Sequence, residues 1–206
     1  MRMDGSQASG LSLLTALLGL VLGGATLWLG LTDGAIALWG FGVASLLQVP
    51  TALSLRGRIR EGLGNYGLER DRVTLKVVSH LLRLLALGVA MASVSALLGE
   101  RAPQARLASL TLVVLAVGLE AALWLAKRGL AEIHPVLDLD TARTRTMLEL
   151  AALVLAGGLL GRWFPWADAG TGLLLALRLF LEGRTLAKGT TLQAACGGCG
   201  SGCGCG

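Results

Sequence analysis

Long apolar runs separated by short polar stretches make up most of this chain. Leu11 to Leu31, Ala35 to Leu53 and Leu107 to Ala126 are apolar almost without interruption. Each matches the length of about 20 residues that a helix needs to cross ~30 Å of hydrocarbon. Val73 to Leu98, Met147 to Leu160 with some N-terminal flank, and Thr171 to Leu186 repeat the pattern, with charged residues inside them or at their edges. The pattern predicts an all-α, polytopic membrane protein built as a bundle of six transmembrane helices. The first run continues to Leu31, lacks a small-x-small cleavage site and has Arg2 as its flanking cation, so it reads as a retained span rather than a signal peptide.

Composition agrees with this class. Hydrophobic residues make up 54% of the 206 positions and charged residues 15%, and the mean hydropathy is +0.69. A water-soluble fold could not hide that much apolar surface. The formal charge of +5 is a matter of where the cations fall. Arg2, Arg56, Arg58, Arg60, Arg70, Arg72, Lys127, Arg128, Arg143, Arg145, Arg184 and Lys188 lie on one side of the spans, and Arg101, Arg106 and Arg162 on the other. Twelve against three places both termini in the cytosol of a plasma (inner) membrane by the positive-inside rule, and no nucleic-acid partner is expected. Trp28, Trp39, Trp163 and Trp166 fall near the outer ends of spans and Trp124 near an inner end, where indoles favour the headgroup boundary. Gly19 and Gly23 in the first span, and Gly157 and Gly161 in the fifth, have the spacing that lets helix backbones approach.

Ionisable side chains inside the spans are the candidate chemistry, because burying a charge at mid-bilayer costs about 2.5 to 3.5 kcal/mol on insertion scales. Lys76, His80 and Arg83 share one face of the third helix. They read either as cations snorkelling toward the inner headgroups with His80 facing another helix, or as the polar lining of an ion path. Glu120, Glu149 and the Arg178 and Glu182 pair, one turn apart, either complete that lining or neutralise the cations.

Several local words then resemble one family. The stretch LTDGAIALWGFGVASLLQVPTALSLRGR, Leu31 to Arg58, resembles the second span of cation diffusion facilitators, the cation efflux family of zinc, cadmium, cobalt, iron and manganese exporters, in which it reads L-A-D-G-x-H-S-x-x-D. NYGLER, Asn65 to Arg70, looks like the family's Y-G-x-x-R entry to the third span. HPVLDLDTARTRTML, His134 to Leu148, looks like the A-D-x-x-H-x-x-x-D of the fifth, and WFPWADAG resembles the W-x-D-P that opens the sixth. The resemblance covers Leu11 to Lys188 and implies a six-span transmembrane domain over 1–188, metal cation transport (efflux) or handling, and a homodimer or a pairing with another membrane protein.

The chain departs from the family at its metal site. With Asp33 set on the family's leading Asp, Ile36 and Gly40 occupy the second span's ligand positions. With Asp140 set on the fifth span's Asp, Arg143 and Met147 occupy the other two. Ile36, Gly40 and Arg143 cannot bind zinc, and Met147 is a soft ligand only. If the quartet is replaced, Asp33, His80, Glu120 and Glu149 are the transport-path candidates. Arg143 reads in two ways: as a fixed cation in place of the metal, paired with Glu149, Asp140 or Asp33 and joining the second and fifth helices, or as one more headgroup contact beside Arg145.

After position 188 the family's cytosolic domain is replaced by a Gly/Cys-rich cytosolic tail, 189–206, that carries Cys196, Cys199, Cys203 and Cys205. In a reducing cytosol these are free thiols or thiolate ligands for Zn, Cd or Cu(I), and the alternative is a low-complexity end that binds metal adventitiously. The sequence offers no nucleophile paired with a base and no cofactor motif, so an enzyme is not expected. It leaves two functions open. One is a shortened cation efflux protein with a metal-collecting tail. The other is a non-transporting membrane scaffold or partner of a metal transporter, with a metal-binding or metal-sensing Cys tail.

Overall fold

The computed structural model of the chain describes residues 2–60, 66–99, 106–131 and 138–196. Among them there are six helices and no strand: α1 (Arg2–Asp33), α2 (Ile36–Arg60), α3 (Tyr66–Leu98), α4 (Leu107–Ala131), α5 (Asp138–Leu160) and α6 (Ala167–Cys196). Each grows from one of the expected apolar runs. At the end of the bundle where α1 finishes, here the Asp33 end, helix and apolar run stop within a few residues of each other. At the opposite, Arg143 end, α2 to α6 all overhang their apolar runs with polar turns.

Four of the helices are long and apolar enough to cross a membrane: Ser9–Asp33, Ile36–Gly57, Arg72–Leu98 and Leu107–Gly129. In α5 and α6 any stretch of that length holds three or more charged side chains, Arg143, Arg145 and Glu149 in one, and Arg178, Glu182 and Arg184 in the other. Arg143, Arg145, Glu149, Arg178 and Glu182 have partners within the protein, described below.

Consecutive helices run up and down. α2 is central, touching α1, α3, α5 and α6, while α3 packs chiefly on α6 and α4 on α5. Its buried face, Ala37, Leu38, Phe41, Ala44 and Ala52, recurs at helical spacing and fills the core together with Leu82 and Val89 of α3, Leu150 of α5, and Leu175 and Leu179 of α6. Small residues set how closely the helices approach. A Cβ on Gly19 would lie 3.0 Å from the Ser45 carbonyl oxygen, and one on Gly23 3.0 Å from that of Gly42, so α1 and α2 meet backbone to backbone. Gly157 faces the side chain of Thr171 of α6, whereas Gly161, expected to face another helix, meets only carbonyls of its own helix because it lies just past the end of α5.

The tight turn between α1 and α2 uses Gly34 at φ 69°, a left-handed conformation that glycine adopts without a Cβ penalty. Two carboxylates cap neighbouring helices at this end. Asp168 of α6 accepts the Ile36 N–H at 2.9 Å, so the N-terminus of α2 is capped from across the bundle. Asp33 pairs with Arg106 at 3.2 Å and accepts the Ser109 hydroxyl, which ties α1 to the start of α4.

The outer surface is apolar. Leu84 (64% exposed), Met91 (69%) and Val114 (56%) stand among many large apolar side chains left uncovered, an arrangement that suits hydrocarbon and not water.

Candidate functional site

The interior stripe of α4 runs Val113, Ala116, Glu120, Leu123 and Lys127, all buried. A helix that places apolar residues at this spacing toward the core carries any ionisable residue on the same stripe inward with them. Lys127 is therefore fully buried, not the surface cation that its place near the end of a span suggested. Its ammonium pairs with Asp140 of α5 at 2.7 Å and donates to the Thr144 hydroxyl at 2.8 Å. Thr144 in turn donates to the Asp140 carbonyl at 3.0 Å.

One turn along α5, Arg143 is 5% exposed and joins three helices. Its Nε lies 3.4 Å from Oε1 of Glu182 on α6, itself buried. One terminal nitrogen donates to the Leu47 carbonyl of α2 at 3.1 Å, and the other to the Thr51 hydroxyl, which donates onward to the Gln48 carbonyl at 2.8 Å. These acceptors flank Pro50, which lies inside α2. Proline removes one backbone donor and its ring pushes the helix open at the preceding turn. Arg143 supplies donors at the place where the proline loosens the ladder.

The expected partners of Arg143 were Glu149, Asp140 and Asp33, and the structure corrects this. Asp140 is held by Lys127, Glu149 points from a different face of α5, and Asp33 is at the far end of the bundle. The expected junction between the second and fifth helices is present, through Leu47 and Thr51. Arg178 and Glu182, one turn apart, take partners on α5 rather than lining a path with the cations of α3: Arg178 pairs with Glu149, which also takes Arg145 at 3.2 Å, and Glu182 pairs with Arg143.

Among the described residues the Arg143 end thus buries three carboxylates, Glu120, Asp140 and Glu182, against two cations, Lys127 and Arg143. Glu120 lies within electrostatic reach of Lys127 and Asp140, and its Oε2 has no hydrogen-bond partner. Both side-chain polar atoms of the buried Gln48 also lack one. An interior with one carboxylate more than its cations, and with acceptors to spare, can hold a proton or a small cation.

The four transport-path candidates do not come together. The Asp33 side chain is buried but engaged at the opposite end, His80 is exposed on α3, Glu149 is half-buried between two arginines, and Glu120 alone of the four is buried at the Arg143 end. Lys76 is exposed like His80, while Arg83 turns to the Gly183 carbonyl of α6 at 3.3 Å, so the three cations of α3 form no continuous lining. Of the family ligand positions, Ile36, Gly40 and Met147 are buried in apolar packing; a Cβ on Gly40 would meet Val89 and Leu175. Among the described residues no group of three or more His, Cys, Asp or Glu could hold a metal. Cys196 is the last residue of α6, and Cys199, Cys203 and Cys205 lie outside the described residues.

Sequence reasoning passed over Lys127, Thr144, Thr51 and Gln48. The signal for Lys127 was there: positions 113, 116, 120, 123 and 127 form one stripe, so a Lys that continues it belongs inside. Comparison of the chain with family models and with curated proteins finds no match.

Proposed function

We propose that the chain is a six-span membrane protein of the cation efflux type, with both termini cytosolic, that moves a metal cation across the inner membrane. The observation that carries this reading is the charge imbalance at the Arg143 end, where, among the described residues, the buried carboxylates Glu120, Asp140 and Glu182 outnumber the buried cations Lys127 and Arg143 inside an apolar bundle. Ionisable groups turned inward in a membrane helix mark ion or proton pathways. Glu120, the carboxylate without an ion-pair contact of its own, is the group that exchanges its proton or cation. The ordered word matches with the cation efflux family support metal as the cargo, and the four-cysteine tail, which suits Zn, Cd or Cu(I), supports collection of that metal at the cytosolic mouth.

The second reading, a non-transporting partner of a metal transporter, is favoured by Arg143 itself. A permanently charged guanidinium, held between α2 and α6 at a family ligand position, repels a divalent ion.

Uptake of zinc, cadmium, iron(II) and copper(I) into proteoliposomes separates the two. Transport predicts uptake of at least one ion, lost in Glu120→Gln and slowed when residues 189–206 are removed. Uniform inactivity of a folded, reconstituted protein would retire transport in favour of the scaffold.

A further inference from the structure

A cleft of about 740 Å³ opens between α4, α5 and α6 toward the Arg143 end, on the outer surface rather than in the interior. Arg128, Arg145 and Arg178 line it, with Trp124, Thr146 and Glu149. Glu149 takes both Arg145 and Arg178, and Arg128 lies over the Trp124 ring at 5.6 Å from its centroid. Among the described residues, one carboxylate against three guanidiniums leaves the cleft with two positive charges. Arg145 and Arg178 are 66% and 42% exposed, so the imbalance meets whatever surrounds the protein.

Large uncovered apolar side chains lie close along α4 and α6 to the residues that line the cleft. Leu174 and Leu181 stand one turn to either side of Arg178 on α6, and Leu125 follows Trp124 on α4. An aqueous anion would find the charge but gain nothing from these leucines. A molecule with an anionic phosphate and hydrocarbon chains uses both. Guanidinium pairs with phosphate oxygens through parallel N–H donors, and basic pockets between membrane helices on the cytoplasmic side are suited to anionic headgroups.

We infer that the cleft formed by Arg128, Arg145 and Arg178 binds the phosphodiester of an anionic phospholipid of the cytosolic leaflet, with its acyl chains along Leu125, Leu174 and Leu181. The inference rests on the membrane-spanning orientation proposed above, though not on transport. Glu149 acts as an internal competitor that bridges Arg145 and Arg178 and offsets their charge when the lipid is absent.

The test uses the full chain purified in neutral detergent, titrated with phosphatidylglycerol, phosphatidylcholine or inorganic phosphate, with bound lipid counted by native mass spectrometry. Phosphatidylglycerol should be retained at about one per chain and in preference to phosphatidylcholine. The double variant Arg128→Gln/Arg145→Gln should weaken its binding about 30-fold, as expected for removing two charges from a lipid-facing site. Glu149→Gln should tighten it, a gain that misfolding cannot produce. Equal retention of the two lipids, an unaltered double variant, weaker binding by Glu149→Gln, or displacement of phosphatidylglycerol by an equal concentration of inorganic phosphate would each overturn the inference. Flotation of the wild-type chain after reconstitution with phosphatidylcholine separates the two levels: a chain that does not float refutes the membrane-spanning reading, and one that floats without lipid preference refutes only the site.

Discussion

Arg143 joins α5 to two other helices through a single planar group. Its geometry explains why neither a shorter side chain nor a lysine would serve: Leu47 and Thr51 lie on one side and Glu182 on the other, and the planar guanidinium presents donors fixed in both directions. Removing one partner of a buried pair strands the other, at a cost of about 3 to 5 kcal/mol. Arg143→Ala should therefore lower the melting temperature in detergent markedly, and Arg143→Lys should fail to restore it. The double variant Arg143→Ala/Glu182→Ala should be more stable than Arg143→Ala alone, because the stranded carboxylate is gone. An unchanged melting temperature in Arg143→Ala would return that residue to the headgroup layer. His80, exposed on α3, has no such burden, and His80→Ala should shift stability by no more than about 0.5 kcal/mol.

Between elements, the closest approach is the seam of α1 and α2. Without a hydrophobic drive between helices in lipid, packing distance decides association, and small residues allow it. Gly23→Leu would push side-chain atoms into the backbone at Gly42 and the chain at Leu46. Overpacking of this kind costs about 1 to 3 kcal/mol. Gly24→Leu is the matched control, since a Cβ there meets nothing within 4 Å, and it should melt like the wild type. The cap on α2 is tested separately. Asp168→Ala should cost about 1 kcal/mol, the usual worth of an N-cap, although Asp168 is 132 residues away along the chain from the helix it caps.

For the whole molecule, the Arg143 end carries the polar overhangs, the buried ion pairs and the arginine cleft, while the Asp33 end stops short and carries the exposed Trp28, Trp163 and Trp166. That asymmetry gives an orientation that labelling can check. In a chain whose four tail cysteines are replaced by serine, Trp163→Cys should react with an impermeant thiol reagent applied to intact cells, and Gly57→Cys should react only after permeabilisation. The opposite pattern would invert the topology.

Helix number was legible in the sequence, because it depends on the length of each apolar run, whereas the inward face was legible on few helices, because most carry large apolar side chains on both faces. The stripes through Val113 and Lys127, or Leu175 and Glu182, can be read with no knowledge of any neighbour. The sequence also implied that charges on those stripes needed partners, since apolar surroundings leave an isolated charge no alternative. Which partner each took was a tertiary matter. Arg178 has Glu182 one turn away on its own helix and yet pairs with Glu149, because the rotation of α6 against α5 turns Glu182 inward to Arg143 and leaves Arg178 at the outer cleft. Lys127 is buried because α5 returns antiparallel beside α4 and brings Asp140 and Thr144 to its level. Such pairings depend on the rotational phase and stagger of helices far apart in sequence, which the close contacts of glycine at the α1 and α2 seam, and of Gly157 against Thr171, set for the bundle as a whole.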